Sequence, residues 1–200
     1  DLALVKLGAL KKEFVVEADA NTFDIDIYAN SAFHIERINQ ADWISLTCGE
    51  TEDGKGAITA ECEFNEGFKR KAGFVLCSDV DARRDTVYVK QKALVDAKIE
   101  FANSSVIVAG AGGENISPIE TNIPFSEITV DIEYAKADNA DWIESLEIVD
   151  SESEKRSLSI TTEANAADEI PRSAAVSLSF TDGWDETVSV EFNLLQRTAK

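Results

Sequence analysis

Apolar and polar residues alternate with a period of two along most of the chain. The alternation is clearest in the runs 23–28, 127–134, 157–161, 176–180 and 188–192. A period of two places one face of a strand in a core and the other in water, as in antiparallel sheets. Turn residues separate these runs, for example at Asp53-Gly54 and Asp182-Gly183, and Gly110 to Gly113 is predicted to form a hairpin turn. The pattern predicts an all-β chain of sandwich type.

Short segments of the first half recur in the same order in the second half. The pairs are Asn30–Phe33 and Asn122–Phe125, Ala41–Ile44 and Ala140–Ile143, Asn65–Arg70 and Asn165–Arg172, and Val87–Gln91 and Phe192–Gln196. An ordered set of matches with slowly drifting offsets is typical of tandem domains that differ in loop length. The repeat predicts one domain over residues 1–95 and a second over residues 96–200.

The recurring positions resemble the BACON family, the Bacteroidetes-associated carbohydrate-binding, often N-terminal domain. In that family an alternating strand ends in Asn and an aromatic residue, a Trp follows, a later strand begins with Arg, and the last strand ends in Gln. The two copies read Asn30, Phe33, Trp43, Arg70 and Gln91, and Asn122, Phe125, Trp142, Arg172 and Gln196. The resemblance covers residues 13–92 and 99–197. The second copy departs by a longer loop before its Trp and by an extra stretch around Trp184.

This resemblance implies two tandem immunoglobulin-like β-sandwiches in a secreted or surface-anchored protein of gut bacteria. Modules of the family commonly precede a glycoside hydrolase, a protease or another surface domain. The resemblance therefore implies a non-catalytic, extracytoplasmic module that either binds glycans or acts as a spacer, with an outer-membrane anchor encoded upstream. The alternative is a structural or adhesive module that has a protein partner and no glycan affinity.

The charge balance limits the classes of molecule that the chain can bind. The chain has 38 acidic and 19 basic residues, for a net charge of -19. Nucleic acid is excluded as a partner because phosphate binding needs clustered Lys and Arg. Sulfated and uronic-acid chains would be repelled, so any glycan ligand is expected to be neutral or to contain basic groups. A neutral polysaccharide or a mucin glycan is the expected class of partner. The sequence contains no apolar stretch long enough for a transmembrane segment, and a monomer is expected.

The three cysteines, Cys48, Cys62 and Cys77, do not make a complete disulfide framework because their number is odd. Their spacings also lack the CxxC pairs of a structural zinc site. Cys62 shares an alternating face with Ile58, Ala60 and Phe64. The sequence therefore predicts unpaired thiols, with Cys62 buried as a small hydrophobic residue.

Catalytic and metal-binding patterns are missing from the sequence. A hydrolytic triad needs a His, and the chain has one, His34, two residues before Glu36. No nucleophile-elbow, zinc-protease or phosphate-loop motif occurs, so we predict neither an enzyme nor a cofactor. Acidic loops at Asp79 and Asp81, at Asp138, Asn139 and Asp141, and at Asp182 and Asp185 lack EF-hand spacing. We predict no metal site, and leave calcium binding by an acidic loop open.

The three tryptophans differ in their sequence context. Trp43 and Trp142 recur at equivalent positions, which favours a shared packing role over a ligand platform. Trp184 has no counterpart and lies in the polar turn 181–186. Asp182-Gly183 suits a tight turn, so the ring is expected to project from the end of the sandwich. Trp184 is the candidate ligand-binding residue, by stacking on a sugar ring; the alternative is an ordinary exposed aromatic.

Overall fold

The computed structural model describes residues 4–136, 140–150, 156–166 and 170–198. Within these ranges the chain forms β-strands and one short 3₁₀ helix, Phe125–Glu127. None of the helical structure in the described ranges has the length and apolar character needed to span a bilayer. The chain divides into two compact units, one of residues 1–96 with 182–185 and one of residues 97–181 with 186–200.

The first unit contains two four-stranded sheets. Its strands are β1 (Leu7–Ala9), β2 (Glu13–Val16), β3 (Asn21–Ala29), β4 (Phe33–Arg37), β5 (Ile44–Cys48), β6 (Lys55–Cys62), β7 (Arg70–Ser78) and β8 (Arg84–Gln91). One sheet has the order β1-β3-β6-β5 and the other has the order β2-β8-β7-β4. The two sheets enclose a core in which Ile25 and Ile58 of one sheet pack with Phe74, Leu76 and Val87 of the other.

The second unit repeats this topology strand for strand. Its strands are β9 (Ile99–Glu100), β10 (Ser105–Val108), β11 (Gly113–Thr121), β12 (Thr129–Tyr134), β13 (Ile143–Asp150), β14 (Arg156–Thr162), β15 (Arg172–Thr181) and β16 (Thr187–Gln196). The sheet orders are β9-β11-β14-β13 and β10-β16-β15-β12. Its buried residues include Leu158, Ile160, Val176, Leu178 and Leu194. The predicted fold class is confirmed: the chain is all-β, as the alternation predicts, with two tandem immunoglobulin-like sandwiches, as the repeat and the resemblance imply.

Two details of the predicted fold are wrong. The sheets are not purely antiparallel, because β2 runs parallel to β8 and β10 runs parallel to β16. The turn at Gly110–Gly113 is not a hairpin, because β10 and β11 belong to different sheets. Both errors have one cause. Consecutive strands cross from one sheet to the other at these points, and neither alternation nor glycine content distinguishes such a crossover from a hairpin.

The predicted position of Cys62 is confirmed, whereas that of Phe64 is wrong. Cys62 is buried in the first core beside Ile58 and Ala60. Phe64 is 41% exposed, because β6 ends at Cys62 and the backbone beyond it no longer follows the two-residue period.

Candidate functional site

The recurring Trp and Arg residues form a stacked pair in each unit. The Arg70 guanidinium lies 4.5 Å from the centre of the Trp43 ring, and the Arg172 guanidinium lies 4.9 Å from that of Trp142. A guanidinium over an indole face is attracted by the ring quadrupole. Desolvation lowers the pKa of both arginines from the usual value.

Each stacked arginine also bonds the glutamine that ends the last strand of its unit. Arg70 Nε donates to Gln91 Oε1 at 2.8 Å, and Arg172 Nε donates to Gln196 Oε1 at 2.6 Å. The Nη2 groups donate to main-chain carbonyls, that of Glu63 at 2.9 Å and that of Glu163 at 3.1 Å. The same side chains thus make the same bonds in both units.

The two glutamines are completely buried and tie three segments together. Gln91 Nε2 donates to the carbonyls of Ala18 at 3.2 Å and Glu63 at 2.9 Å. Gln196 Nε2 donates to the equivalent carbonyls, of Ala109 at 3.0 Å and Glu163 at 2.7 Å. Ala18 and Ala109 come just after β2 and β10, so each glutamine helps to hold the parallel edge strand in place.

Recurring asparagines complete this arrangement. Buried Asn65 donates from Nδ2 to the carbonyls of Phe68 and Lys92, and buried Asn165 does so to those of Ile170 and Arg197. Asn30 and Asn122 accept main-chain N–H bonds from Lys6 at 2.7 Å and from Lys98 at 2.8 Å. We call the recurring Trp, Arg, Gln and Asn side chains the repeat network. The hydrogen bonds described above join groups of the same unit, so the network fixes loops and strand ends.

The two recurring tryptophans differ in burial. Trp142 is fully buried and meets the Tyr134 ring edge-on at 5.9 Å between centres. Trp43 is half-buried and packs against the first core. The predicted packing role is confirmed for both.

Trp184 is half-buried. It lies in the turn of residues 182–185, which belongs to the first compact unit. Its main-chain N–H donates to Asp182 Oδ1 at 2.8 Å, and its indole Nε1 donates to the carbonyl of Arg70 at 3.2 Å. The amines of Lys69 and Lys90 lie 5.3 and 5.7 Å from the ring centre. Ligand binding at Trp184 stays a prediction.

Protein groups hold carboxylates in two of the three acidic loops. Asp81 Oδ1 accepts the Arg83 N–H at 3.0 Å, and hydrogen bonding to Ser78, the largest cause, lowers the pKa of Asp81. Asp185 pairs with Lys71 Nζ at 2.8 Å. Asp141 is exposed, whereas Asp138 and Asn139 lie outside the described residues.

Besides the repeat network, the first unit contains a cluster of polar side chains that sequence reasoning did not predict. His34 on β4 lies opposite Cys77 on β7, and its Nδ1 is 2.5 Å from Asp79 Oδ1 while its Nε2 is 3.4 Å from Glu36 Oε1. The bond to Asp79, more than that to Glu36, raises the pKa of His34. The bond to His34 is the largest cause that lowers the pKa of Glu36. We call His34, Glu36, Cys77 and Asp79 the β4–β7 cluster.

The signal for this cluster in the sequence is weak. His34 and Glu36 share one face of β4, and Asp79 follows the end of β7, two residues after Cys77. Only the pairing register of β4 with β7 brings the two pairs together. Desolvation is the main cause that raises the pKa of the Cys77 thiol, so this thiol is not an activated nucleophile.

The chain matches no family model and no curated protein. Among solved structures, titin Ig tandem domains are similar over 98% of this chain and 99% of that one, with 10% identity and a TM-score of 0.37. An endo-fucoidan hydrolase from glycoside hydrolase family 107 is similar over 99% of this chain, with 11% identity and a TM-score of 0.32. A Bacteroides ovatus xyloglucanase is similar over 45% of this chain, with 17% identity and a TM-score of 0.36. The chain spans 29% and 19% of the two hydrolases. The assignment to two tandem immunoglobulin-like sandwiches therefore stands on the sheets themselves.

Proposed function

We propose that the chain is a non-catalytic tandem module of the BACON type and that it serves as a spacer within an extracytoplasmic surface protein. The observation that carries the proposal is the repeat network. The recurring residues that resemble the family motif bond and pack inside their own units, which supports a role in holding the sandwiches rather than in holding a ligand.

The charge and the chemistry of the surface support the same proposal. A net charge of -19 keeps chains apart and in solution, which suits a monomeric spacer on a cell surface. The lone histidine, His34, is engaged by two carboxylates, and its partner thiol at Cys77 is not activated. Both observations support a module that carries no reaction of its own.

A glycan-binding role at Trp184 is the second candidate. It is favoured by the partial exposure of Trp184, which lies in the β15–β16 turn, whereas the corresponding β7–β8 turn of the first unit contains no Trp. A sugar ring would stack on the indole face, and the acidic surface favours a neutral glycan over a sulfated or uronic-acid chain.

One experiment separates the two candidates. The full chain is immobilised and offered neutral polysaccharides and mucin glycans, beside the variants Trp184→Ala and Trp184→Phe, with melting curves recorded for all three. The spacer proposal expects no saturable retention of any glycan. Retention that is lost in Trp184→Ala and kept in Trp184→Phe, at unchanged melting, would overturn it in favour of the binding role.

The surface location is tested separately. In the organism that produces the protein, external protease should remove the module from intact cells if it is anchored on the outer surface. Complete protection in intact cells, with digestion after lysis, would contradict the proposed location.

A further inference from the structure

The β4–β7 cluster brings three kinds of donor atom together at one surface. A ring nitrogen of His34, a carboxylate oxygen of Glu36 and Sγ of Cys77 all lie within 4.8 Å of one another. The pairing register of β4 with β7 brings these atoms together, because His34 pairs directly with Cys77 and Glu36 lies two residues further along the same face of β4. Imidazole, carboxylate and thiolate are the ligand types that zinc takes in proteins.

Cys77 lies on the face of its sheet that is opposite to the core. Ala72, Phe74 and Leu76 on β7 belong to the first core cluster, so the two-residue period directs Cys77 to the opposite face of the sheet. Cys77 is nevertheless only 4% exposed. Cys62 contrasts with it, since that thiol lies among apolar residues of the core. Cys77 Sγ thus lies outside the core cluster, beside donor atoms of His34 and Glu36.

Two further groups orient the candidate ligands. His34 Nδ1 is bonded to Asp79 Oδ1 at 2.5 Å, and a carboxylate on one ring nitrogen is the usual outer partner of a metal-binding histidine. This bond leaves Nε2 on the side of Glu36 Oε1, at 3.4 Å. Arg84 bonds the other oxygen of that carboxylate, Oε2, which leaves Oε1 for an ion.

We propose that His34 Nε2, Glu36 Oε1 and Cys77 Sγ form a binding site for a divalent transition-metal ion of the zinc type, with water as the fourth ligand. The Cys77 thiol loses its proton to solvent as the ion binds, so that the thiolate is the ligand. Metal–ligand bonds of about 2.0–2.3 Å require the atoms to close by about 1 Å. His34 and Glu36 are exposed side chains that can make this movement. Metal binding at this site would be a property in addition to the proposed spacer role.

A plain ion-pair network is the competing interpretation of the same contacts. His34, Glu36, Asp79 and Arg84 would then only fasten the edge strand β4 to its neighbours, and exposed pairs of this kind contribute little to stability. The two interpretations differ in what they require of Cys77, which is a ligand in one and a bystander in the other.

Cobalt(II) is the probe for the test, because a bound thiolate gives it a charge-transfer absorption that carboxylates do not give. The reduced full chain is titrated with Co²⁺, and zinc is then added. We expect one Co²⁺ per chain with the thiolate absorption, and loss of that absorption when zinc displaces cobalt. Cys77→Ser should abolish the absorption, and His34→Gln should weaken binding at least tenfold.

The matched control is Cys48→Ser, which removes an exposed thiol on the other sheet and should leave the absorption and the affinity unchanged. His34→Gln and Glu36→Gln replace exposed residues, so their folding is easily verified by melting. Absence of the thiolate absorption in the wild-type protein would overturn the proposal. Cobalt binding that is unchanged in both Cys77→Ser and His34→Gln would also overturn the proposal, because such binding is a diffuse attraction of the cation to an acidic surface.

Discussion

At the scale of single residues, Gln91 and Gln196 explain why a few polar residues recur in both repeats although most of the other residues differ. Each side chain is fully buried, accepts from an arginine and donates to carbonyls of two separate segments. A buried amide with several partners has few substitutes, because any change leaves a donor or an acceptor without a bond. The surrounding apolar residues can exchange for one another much more freely.

Gln91→Leu should therefore destabilise the protein although it places an apolar side chain in a buried position. Arg70 Nε and the Glu63 carbonyl each lose a bond, and a buried unsatisfied group costs about 1–3 kcal/mol. Urea unfolding should show a lower midpoint. Gln40→Leu, at an exposed glutamine, is the matched control and should change the free energy of unfolding by less than about 0.5 kcal/mol. Equal effects of the two variants would contradict the role given to Gln91.

The two recurring tryptophans should contribute differently to the free energy of unfolding. Trp142 is fully buried, whereas Trp43 is half-buried. Trp142→Ala should cost about 3–5 kcal/mol, the usual range for an emptied aromatic site in a core, and Trp43→Ala should cost less. Thermal or urea unfolding of the two variants measures the difference. A larger loss for Trp43→Ala would show that the contacts of Arg70, rather than burial, dominate at this position.

Alkaline pH should destabilise the fold partly through Cys62. Burial raises the pKa of this thiol to about 11 from an ordinary value of 9.0, so the folded chain holds the thiol proton more tightly than the unfolded chain. The resulting stabilisation is fully present below the unfolded value and is lost as the pH rises through the folded value. Between these values wild-type protein should lose more stability than Cys62→Ala in urea unfolding. Equal losses of stability in wild-type protein and Cys62→Ala would contradict the raised pKa of Cys62.

The residue scale also marks the limit of sequence reasoning. The burial of Cys62 could be predicted because its neighbours on one strand carry the whole signal. The β4–β7 cluster could not be predicted, because it depends on the register between two strands that are far apart in sequence. Register is fixed by the packing of whole faces and by turn geometry, neither of which a short motif contains.

At the scale of elements, the crossover turn before β11 requires a glycine at position 112. Gly112 has a φ of +77°, and a Cβ there would lie 2.6 Å from the Thr162 carbonyl oxygen. Alternation along strands predicted the individual strands well, since it reports which residues face a core. It could not predict which sheet a strand joins, and this is why the parallel edge strands β2 and β10 and the crossover at Gly110–Gly113 were missed.

Gly112→Ala should destabilise the second unit by about 1–3 kcal/mol, the usual cost of a residue held in an unfavourable backbone region. Gly67→Ala is the matched control, because a Cβ there would meet nothing closer than 3.6 Å and its φ is not in the left-handed range. That variant should stay within about 0.5 kcal/mol of wild type in urea unfolding. Tolerance of both substitutions would mean that the turn adopts another conformation.

At the scale of the whole molecule, two units share one strand topology and one repeat network. The tandem organisation could be predicted from the sequence because the recurring residues occur in the same order. The boundary between residues 95 and 96 stays a prediction. A function could be proposed only through the resemblance, because residues whose side chains hold the fold together give no information about a ligand.

Hydrogen–deuterium exchange of Gln196→Leu tests the central claim, that the repeat network stabilises the sandwich to which it belongs. Amides of β10, β15 and β16 should exchange faster than in wild type, because the buried partners of Gln196 lose their bonds and local opening becomes easier. Amides of β3, β6 and β7 should exchange at the wild-type rate. Wild-type protection throughout β10, β15 and β16 would contradict a structural role for the network, and an equal loss of protection in both units would contradict its restriction to one sandwich.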